Sequence, residues 1–323
     1  MAATATRLSQ RYLPSRGAPP PLADAFPATL KARCGRAWPQ ALLYSLAVAL
    51  LAAITLHAQA PDPSPRRVVS VIPATTEMIF AMGAGDRLVG VGNFDRFPPE
   101  TSKLPRVGGL LDPDTERILA LKPDLVIVYN TQTELKARLD RAGVPVFSYE
   151  HRALPDVMQT IRALGGRLGV QADAERLASG MERALDAVRK TVAGRGRPRG
   201  LLVFGREAGN LRGIAASGGY GFLADLLDIA GSENVFSDIR QQSVQASTEM
   251  ILARRPEVII ELRYGDDQRA YNIERELQPW QTLASVPAVR DKHVYLLVGD
   301  EFVVPGPRIV NAARRLAETL HGK

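Results

Sequence analysis

Thr115-Glu116-Arg117-Ile118-Leu119-Ala120-Leu121-Lys122-Pro123-Asp124-Leu125-Val126-Ile127 recurs 133 residues later as Thr248-Glu249-Met250-Ile251-Leu252-Ala253-Arg254-Arg255-Pro256-Glu257-Val258-Ile259-Ile260, with seven of thirteen positions identical. Each copy reads as one unit: a short helix with an acidic first turn, a proline that stops it, and an apolar β-branched run suited to a buried strand. A solenoid needs three or more such units. One pair therefore predicts two similar α/β lobes of Rossmann-like type, each with a helix feeding its sheet.

The flanking sequence extends both lobes. Val68–Ile72 and Leu88–Val91 read as strands around a helix from Thr75 to Met82, and a helix over Glu134–Arg141 precedes a strand over Val144–Tyr149. A helical stretch follows, with a break expected at Gly165-Gly166 and Gly169. Beyond it Leu177, Met181, Leu185, Val188 and Val192 recur at helical spacing, so a helix from Gln171 to Val192 would span ~33 Å and reach across two lobes. The basic run Gly194–Arg199 reads as a solvated loop. The second lobe begins at Leu201–Phe204, continues through a helix over Phe222–Ile229 and a strand over Val294–Leu297, and closes with a helix over Arg308–Leu320. The expected divisions are 1–60 as extension and signal, 61–150 as first lobe, 151–197 as connecting helices and 198–323 as second lobe.

The chain of 323 residues carries a formal charge of +7, but the excess is unevenly placed. Residues 1–60 hold six bases against the single acid Asp24, and the remainder holds 35 bases against 33 acids. A nearly neutral body does not provide the clustered cations that track phosphates, which argues against nucleic acid as a partner. Ala41–Leu56 is uncharged and largely apolar, follows the basic residues, and leads to Ala58-Gln59-Ala60, the pattern of an export signal cleaved near Ala60. That run falls short of the ~20 residues a spanning helix wants. Export to the periplasm is the expectation. The only cysteine, Cys34, precedes the apolar run, so the mature chain would lack disulfides, thiol nucleophiles and cysteine-held metal.

No phosphate loop, no dinucleotide-binding glycine pattern after the first strand and no nucleophile elbow is present. Ser217-Gly218-Gly219-Tyr220-Gly221 opens a helix and could cradle an anion on its amides; turn chemistry favours a plain helix-capping turn. His151, His293 and His321 are scattered without metal-ligand spacing, so no metal site is expected and His151 reads as an ordinary histidine. An enzyme is not expected. The nearest catalytic alternative is a secreted enzyme or chelatase acting on tetrapyrroles.

Over residues 66–321 the chain resembles the substrate-binding proteins of ABC importers, in the class with a rigid helical backbone that serves cobalamin, iron siderophores and heme. The resemblance is carried by Arg67-Val68-Val69-Ser70-Val71-Ile72-Pro73-Ala74-Thr75-Thr76-Glu77, by Leu104–Gly109 and by the Glu116 unit. In the second lobe it is carried by Ala230–Phe236, the Glu249 unit, and Trp280 through Ala288-Val289-Arg290 to Val294-Tyr295. The resemblance implies two lobes, one long connecting helix, a ligand in the cleft between the lobes, and a monomer that binds without a cofactor of its own. It also implies a two-fold permease in the inner membrane with its ATPase, and docking through one acid per lobe, at Glu116 and Glu249. A pseudo-symmetric pair of carboxylates suits a two-fold partner. An acid at a helix start also gains from the dipole, by about 0.3–1 kcal/mol.

Ligands of open α/β sheets sit beyond the carboxyl ends of strands. That rule selects Phe94, Asp95, Leu110 and Tyr129 from the first lobe and Arg206, Tyr220, Arg240, Arg263, Asp300 and Phe302 from the second. Gly90–Pro99 with Val107-Gly108-Gly109 looks most like the cobalamin branch, whose aromatic matches Phe94. Two tryptophans of that branch, near Leu110 and ahead of the Glu249 helix, are absent here. A cobalt corrinoid is the first expectation. An iron chelate held by Arg206, Arg240 and Arg263 is the nearest competitor, and heme is weakened by the lack of a tyrosine beside Gly109.

Overall fold

The computed structural model describes residues 64–265 and 271–322. The basic leader, the apolar run and the expected cleavage near Ala60 lie outside the described residues. The described residues form one compact unit.

The first half alternates strand and helix: β1 (Val68–Ser70), α1 (Pro73–Ala81), β2 (Leu88–Val91), α2 (Thr115–Ala120), β3 (Leu125–Tyr129), α3 (Thr133–Arg141) and β4 (Val146–Tyr149). The strands form a parallel sheet in the order β2-β1-β3-β4. Parallel neighbours require crossovers, which α1, α2 and α3 supply. Val68, Val69 and the run Leu125–Val128 are wholly buried, as strands covered on both faces should be.

Two antiparallel neighbours follow, α4 (Leu154–Leu168) and the 22-residue α5 (Gln171–Val192), the latter over the span that its apolar spacing predicts. Ala174, Ala178, Met181, Leu185, Val188 and Val192 form its buried seam. The expected break at Gly165-Gly166 is not there. Helix α4 runs through both glycines and ends only at Gly169, at a φ of 69°. Gly165 is small for another reason: a Cβ there would fall 2.1 Å from the Ala174 Cβ, so the two helices cross at backbone distance.

The second half comprises β5 (Arg199–Gly205), β6 (Ile214–Ser217), α6 (Phe222–Ile229), β7 (Glu233–Asn234), β8 (Ser243–Ala246), α7 (Thr248–Arg254), β9 (Val258–Arg263), α8 (Ile273–Leu277), α9 (Pro287–Arg290), β10 (Val294–Val298) and α10 (Ile309–His321). Its sheet runs β10-β9-β5-β6-β8, with β7 beside the start of β5. This corrects the expectation of two alike Rossmann-type sheets. β10, β9 and β5 are parallel, but β6 is antiparallel to both β5 and β8. The chain returns from β5 to β6 through a short loop without a helix, and such a return can only lay strands antiparallel.

The repeat survives in atomic detail. Asp114 caps α2 by accepting from the Arg117 amide at 2.9 Å, and Ser247 caps α7 by accepting from the Met250 amide at 3.2 Å. After each helix the residue before the proline takes a left-handed conformation, Lys122 at a φ of 48° and Arg255 at 50°. After each proline an acid ties down the start of the neighbouring strand: Asp124 accepts from the Arg66 and Arg67 amides at 2.8 Å, and Glu257 from the Arg199 amide at 2.8 Å.

One hydrophobic core joins both halves, running from Val68, Ile127 and Leu139 through Ile161 and Leu185 to Leu202, Ile260, Ala312 and Leu316. A smaller core on the other face of the second sheet is centred on Phe236 and Trp280.

Candidate functional site

The carboxyl ends of the strands of the two sheets meet. Beyond β2, the Tyr264 hydroxyl, which follows β9, donates to the Phe94 carbonyl at 3.1 Å, and the Arg96 guanidinium lies 5.1 Å from the Tyr264 ring centre. Deeper, Arg308 at the start of α10 donates to both carboxylate oxygens of Glu77 on α1, one of them at 3.0 Å, and covers the Phe97 ring at 4.3 Å. Burial pushes the Glu77 carboxyl upward, and Arg308 partly offsets that. Beyond β4, the His151 ring packs edge-on against Phe222 at the start of α6, with centres 5.5 Å apart, and the Leu154 amide donates to Asp225 at 2.8 Å.

Of the residues expected from the first half, Phe94 and Leu110 stand at the surface, 56% and 39% exposed, and Leu111 beside them is 96% exposed. The Phe94 ring overlies Gly109, where a Cβ would come within 3.4 Å of it. Tyr129 is half-buried and stacks edge-on to Tyr149, its register partner on β4, at 5.7 Å. Asp95 points inward, 1% exposed, and neither carboxylate oxygen has a hydrogen-bond partner. Thr76 Oγ1 is likewise unpartnered, and the Gly92 amide is spent on the Ser70 carbonyl. Arg106 binds the Gly92 and Asp95 carbonyls, holding the loop rather than the acid. Burial pushes the Asp95 carboxyl up to about 7, and the nearby Thr76 hydroxyl and Arg106 charge offset only part of the effect.

The residues expected from the second half divide sharply. Tyr220 is 37% exposed and Arg240 is exposed in the turn before β8. Arg206 is not at a cleft surface: its side chain is 0% exposed and donates to Glu261 at 3.0 Å and to the carbonyls of Glu207, Asn210 and Glu276. Arg263 stands against Glu261 and, at 3.6 Å, Glu276. Trp280 Nε1 adds a donor to Glu261 at 2.9 Å. The two guanidiniums therefore neutralise a buried glutamate, which would be very costly alone. Asp300 is buried and accepts from the Gly265 amide at 2.8 Å, and Phe302 is a fully buried core ring under Arg315. For both, the backbone after β10 turns back into the molecule.

The Gly218-Gly219 turn is closed to anions, because its two amides donate to the Gln242 and Ile239 carbonyls. A Cβ at either glycine would fall 2.1 Å from a backbone oxygen, so close packing is what the glycines serve. Next to this turn is a cavity of about 330 Å³ lined by Phe204, Tyr220, Phe222, Gln242, Ser243 and Val303. Sequence reasoning gave its neighbour, His151, no role at the site. Its ring lies 5.6 Å from Tyr149 and 6.0 Å from Tyr129, burial lowers its basicity, and its Nδ1 has no partner. The signal available was its position two residues after a strand end.

Glu116 and Glu249 are both exposed on the second residue of their short helices. The Ser247 hydroxyl, followed by the Glu249 and Thr248 donors, holds the Glu249 carboxyl below the usual range.

Two α/β halves share one core, and the carboxyl ends of their strands face each other. The profile of the family described as periplasmic binding protein matches residues 68–300, and the chain belongs to that family. It is a periplasmic substrate-binding protein of the helical-backbone class of ABC importers. Membership implies a cognate permease and ATPase. The Vitamin B12-binding protein of Yersinia pestis (strain Pestoides F) is 29% identical over 277 residues, 85% of this chain and 91% of that protein. The crystal structure of the periplasmic vitamin B12 binding protein BtuF of Vibrio cholerae superimposes with a TM-score of 0.67 at 25% identity, covering 80% of this chain and 97% of that one. The periplasmic heme-binding protein RhuT of Roseiflexus sp. RS-1 gives 0.66 at 27% identity, covering 79% and 98%.

Proposed function

We propose that the protein captures a corrinoid between its two halves and delivers it to a two-fold permease. In this reading residues 61–150 and 198–323 act as lobes, 151–197 as a stiff connection dominated by α5, and the mature chain begins after Ala60 as a monomer. Glu116 and Glu249 dock on the permease, and Phe94, Leu110, Tyr129 and Tyr220 contact the ligand, with Arg240 at its edge. The observation that carries the choice of ligand is the fate of the arginines. An anionic iron chelate would draw on Arg206, Arg240 and Arg263, but two of the three, Arg206 and Arg263, are committed to Glu261, and only Arg240 stays exposed. Phe94, Leu110 and Tyr220, exposed at the junction beside the charges of Arg96 and Arg240, offer aromatic and apolar surface suited to a large macrocycle. The named binding of cobalamin by the Yersinia and Vibrio relatives supports the same choice. Heme is the second reading, favoured by one observation: Tyr129 and His151, ring types that ligate iron, stand together at the junction.

The experiment is a titration of the purified mature protein with cyanocobalamin, hemin and a ferric hydroxamate, followed by absorbance. A stoichiometric shift of the corrin bands is expected, weakened roughly ten-fold or more by Phe94→Ala through lost stacking area. Saturable binding of hemin or the ferric complex with no response to cobalamin would refute the corrinoid reading.

A further inference from the structure

Tyr149 and His151 present an unexplained arrangement. Tyr149 is 1% exposed and its hydroxyl has no hydrogen-bond partner; the Nδ1 of His151, whose ring is 5.6 Å away, has none either. Asn130 Oδ1, one residue after the ring partner Tyr129, is a third such atom. Buried polar atoms are almost always satisfied, so a group of orphans at one end of a sheet calls for a ligand. The place is where the halves touch: His151 packs on Phe222, and Gln242 reaches the His151 carbonyl at 3.5 Å. Phe222 and Gln242 also line the 330 Å³ cavity. That volume lies near the bottom of the ~300–1,000 Å³ range of ligand pockets and suits one arm of a macrocycle rather than the whole.

The chemistry of the walls restricts the arm. Among the described residues no lysine or arginine lines the cavity, whose side-chain polar groups are the Tyr220 and Ser243 hydroxyls and the Gln242 amide. The charges acting on His151 are those of Asp156 and Glu150, both acidic, and Arg152 nearby is already paired with Glu150 at 2.8 Å. A carboxylate placed here would be desolvated with no free cation beside it and with Asp156 nearby, an expensive combination. The orphan set includes an acceptor, Asn130 Oδ1, and a phenol that can donate. A carboxylate cannot serve the acceptor. A primary carboxamide can serve both, since it carries two N–H donors and a carbonyl.

Resting on the corrinoid reading above, we infer that the Asn130, Tyr149 and His151 end of the junction, with the cavity beside Phe222, holds a carboxamide arm of the ligand and discriminates against carboxylate arms. The test compares dicyanocobinamide, whose arms are amides, with dicyanocobyrinic acid, whose arms are carboxylates. Both are titrated into the mature protein and into its Tyr149→Phe, His151→Phe and doubly substituted forms. The wild type should bind the amide form at least about ten-fold more tightly, the order expected when buried groups are left unpaired. The double variant should bring the ratio close to one, chiefly by weakening the amide form. Tyr149→Phe keeps the ring packing and so reports on the hydroxyl even if the double variant folds poorly. Equal affinities in the wild type, or a preference untouched by Tyr149→Phe and His151→Phe, would overturn this inference while leaving the corrinoid reading intact. Failure of both corrins to bind would overturn both.

Discussion

Asp95 shows how far a residue's role can depart from its address. It follows a strand end, where ligand contacts are expected, yet it is buried with both oxygens unpartnered beside Thr76. Its carboxyl is raised from an ordinary 3.8 to about 7. Between those values the folded chain holds a proton that the unfolded chain has released, so stability falls as pH rises through that window and is lowest above 7. The shift corresponds to roughly 4 kcal/mol at most. Asp95→Asn should therefore raise the melting temperature at pH 8 and change it little at pH 4; parallel shifts at both values would contradict the assignment. Arg206 departs in the same way, and only the need for a cation was readable. Val258-Ile259-Ile260-Glu261-Leu262 is an apolar strand interrupted by one acid, and an acid in a buried strand demands a cation. What the sequence could not reveal is which cation, because that depends on β5 pairing with β9 in a register that sets Val203 opposite Glu261.

At the scale of elements, periodicity was a reliable guide wherever burial was one-sided. The spacing of α5 and the repeated helix-to-strand units were legible because each is dictated by local pattern, down to the proline that stops the helix; the cap and the left-handed residue emerged only in the structure. Sheet direction was not, since the antiparallel β6 depends on a loop whose composition says little about its path. The glycines of α4 were misread because the same residue can break a helix or admit a neighbour. Gly165 and Gly166 test that distinction side by side. Gly165→Ala must push against Ala174 and should cost about 1–3 kcal/mol by overpacking, outweighing its gain in helix propensity. Gly166 has nothing within 4 Å of its would-be Cβ, and Gly166→Ala should stabilise by up to about 1 kcal/mol. Urea melts of the two variants should move in opposite directions. Shifts of the same sign would mean that the helix crossing is looser than described.

For the whole molecule, the repeat sets two exposed carboxylates in equivalent places, one per half. If they dock on a two-fold partner, Glu116→Lys with Glu249→Lys should leave ligand affinity within about two-fold and reduce importer-dependent uptake of labelled ligand by more than about ten-fold, as misplaced interfacial charges do. Uptake at the wild-type rate would remove these residues from the docking surface. Both positions were legible from the repeat alone. The junction was only partly legible, because the meeting of Tyr264 with Phe94, or of His151 with Phe222, is made by residues far apart in sequence that no local pattern links.

The shared core carries a consequence for the molecule's divisibility. Leu202, Ile260 and Leu316 of the second half belong to the same apolar interior as Val68 and Ile127 of the first. Neither half could be released without opening an apolar wound in the other. Although the repeat is doubled like a pair of modules, the protein is not modular: it should melt as one body, tolerate no cut between its halves, and exchange neither with a homologue's, because what is doubled in sequence has a single centre in space.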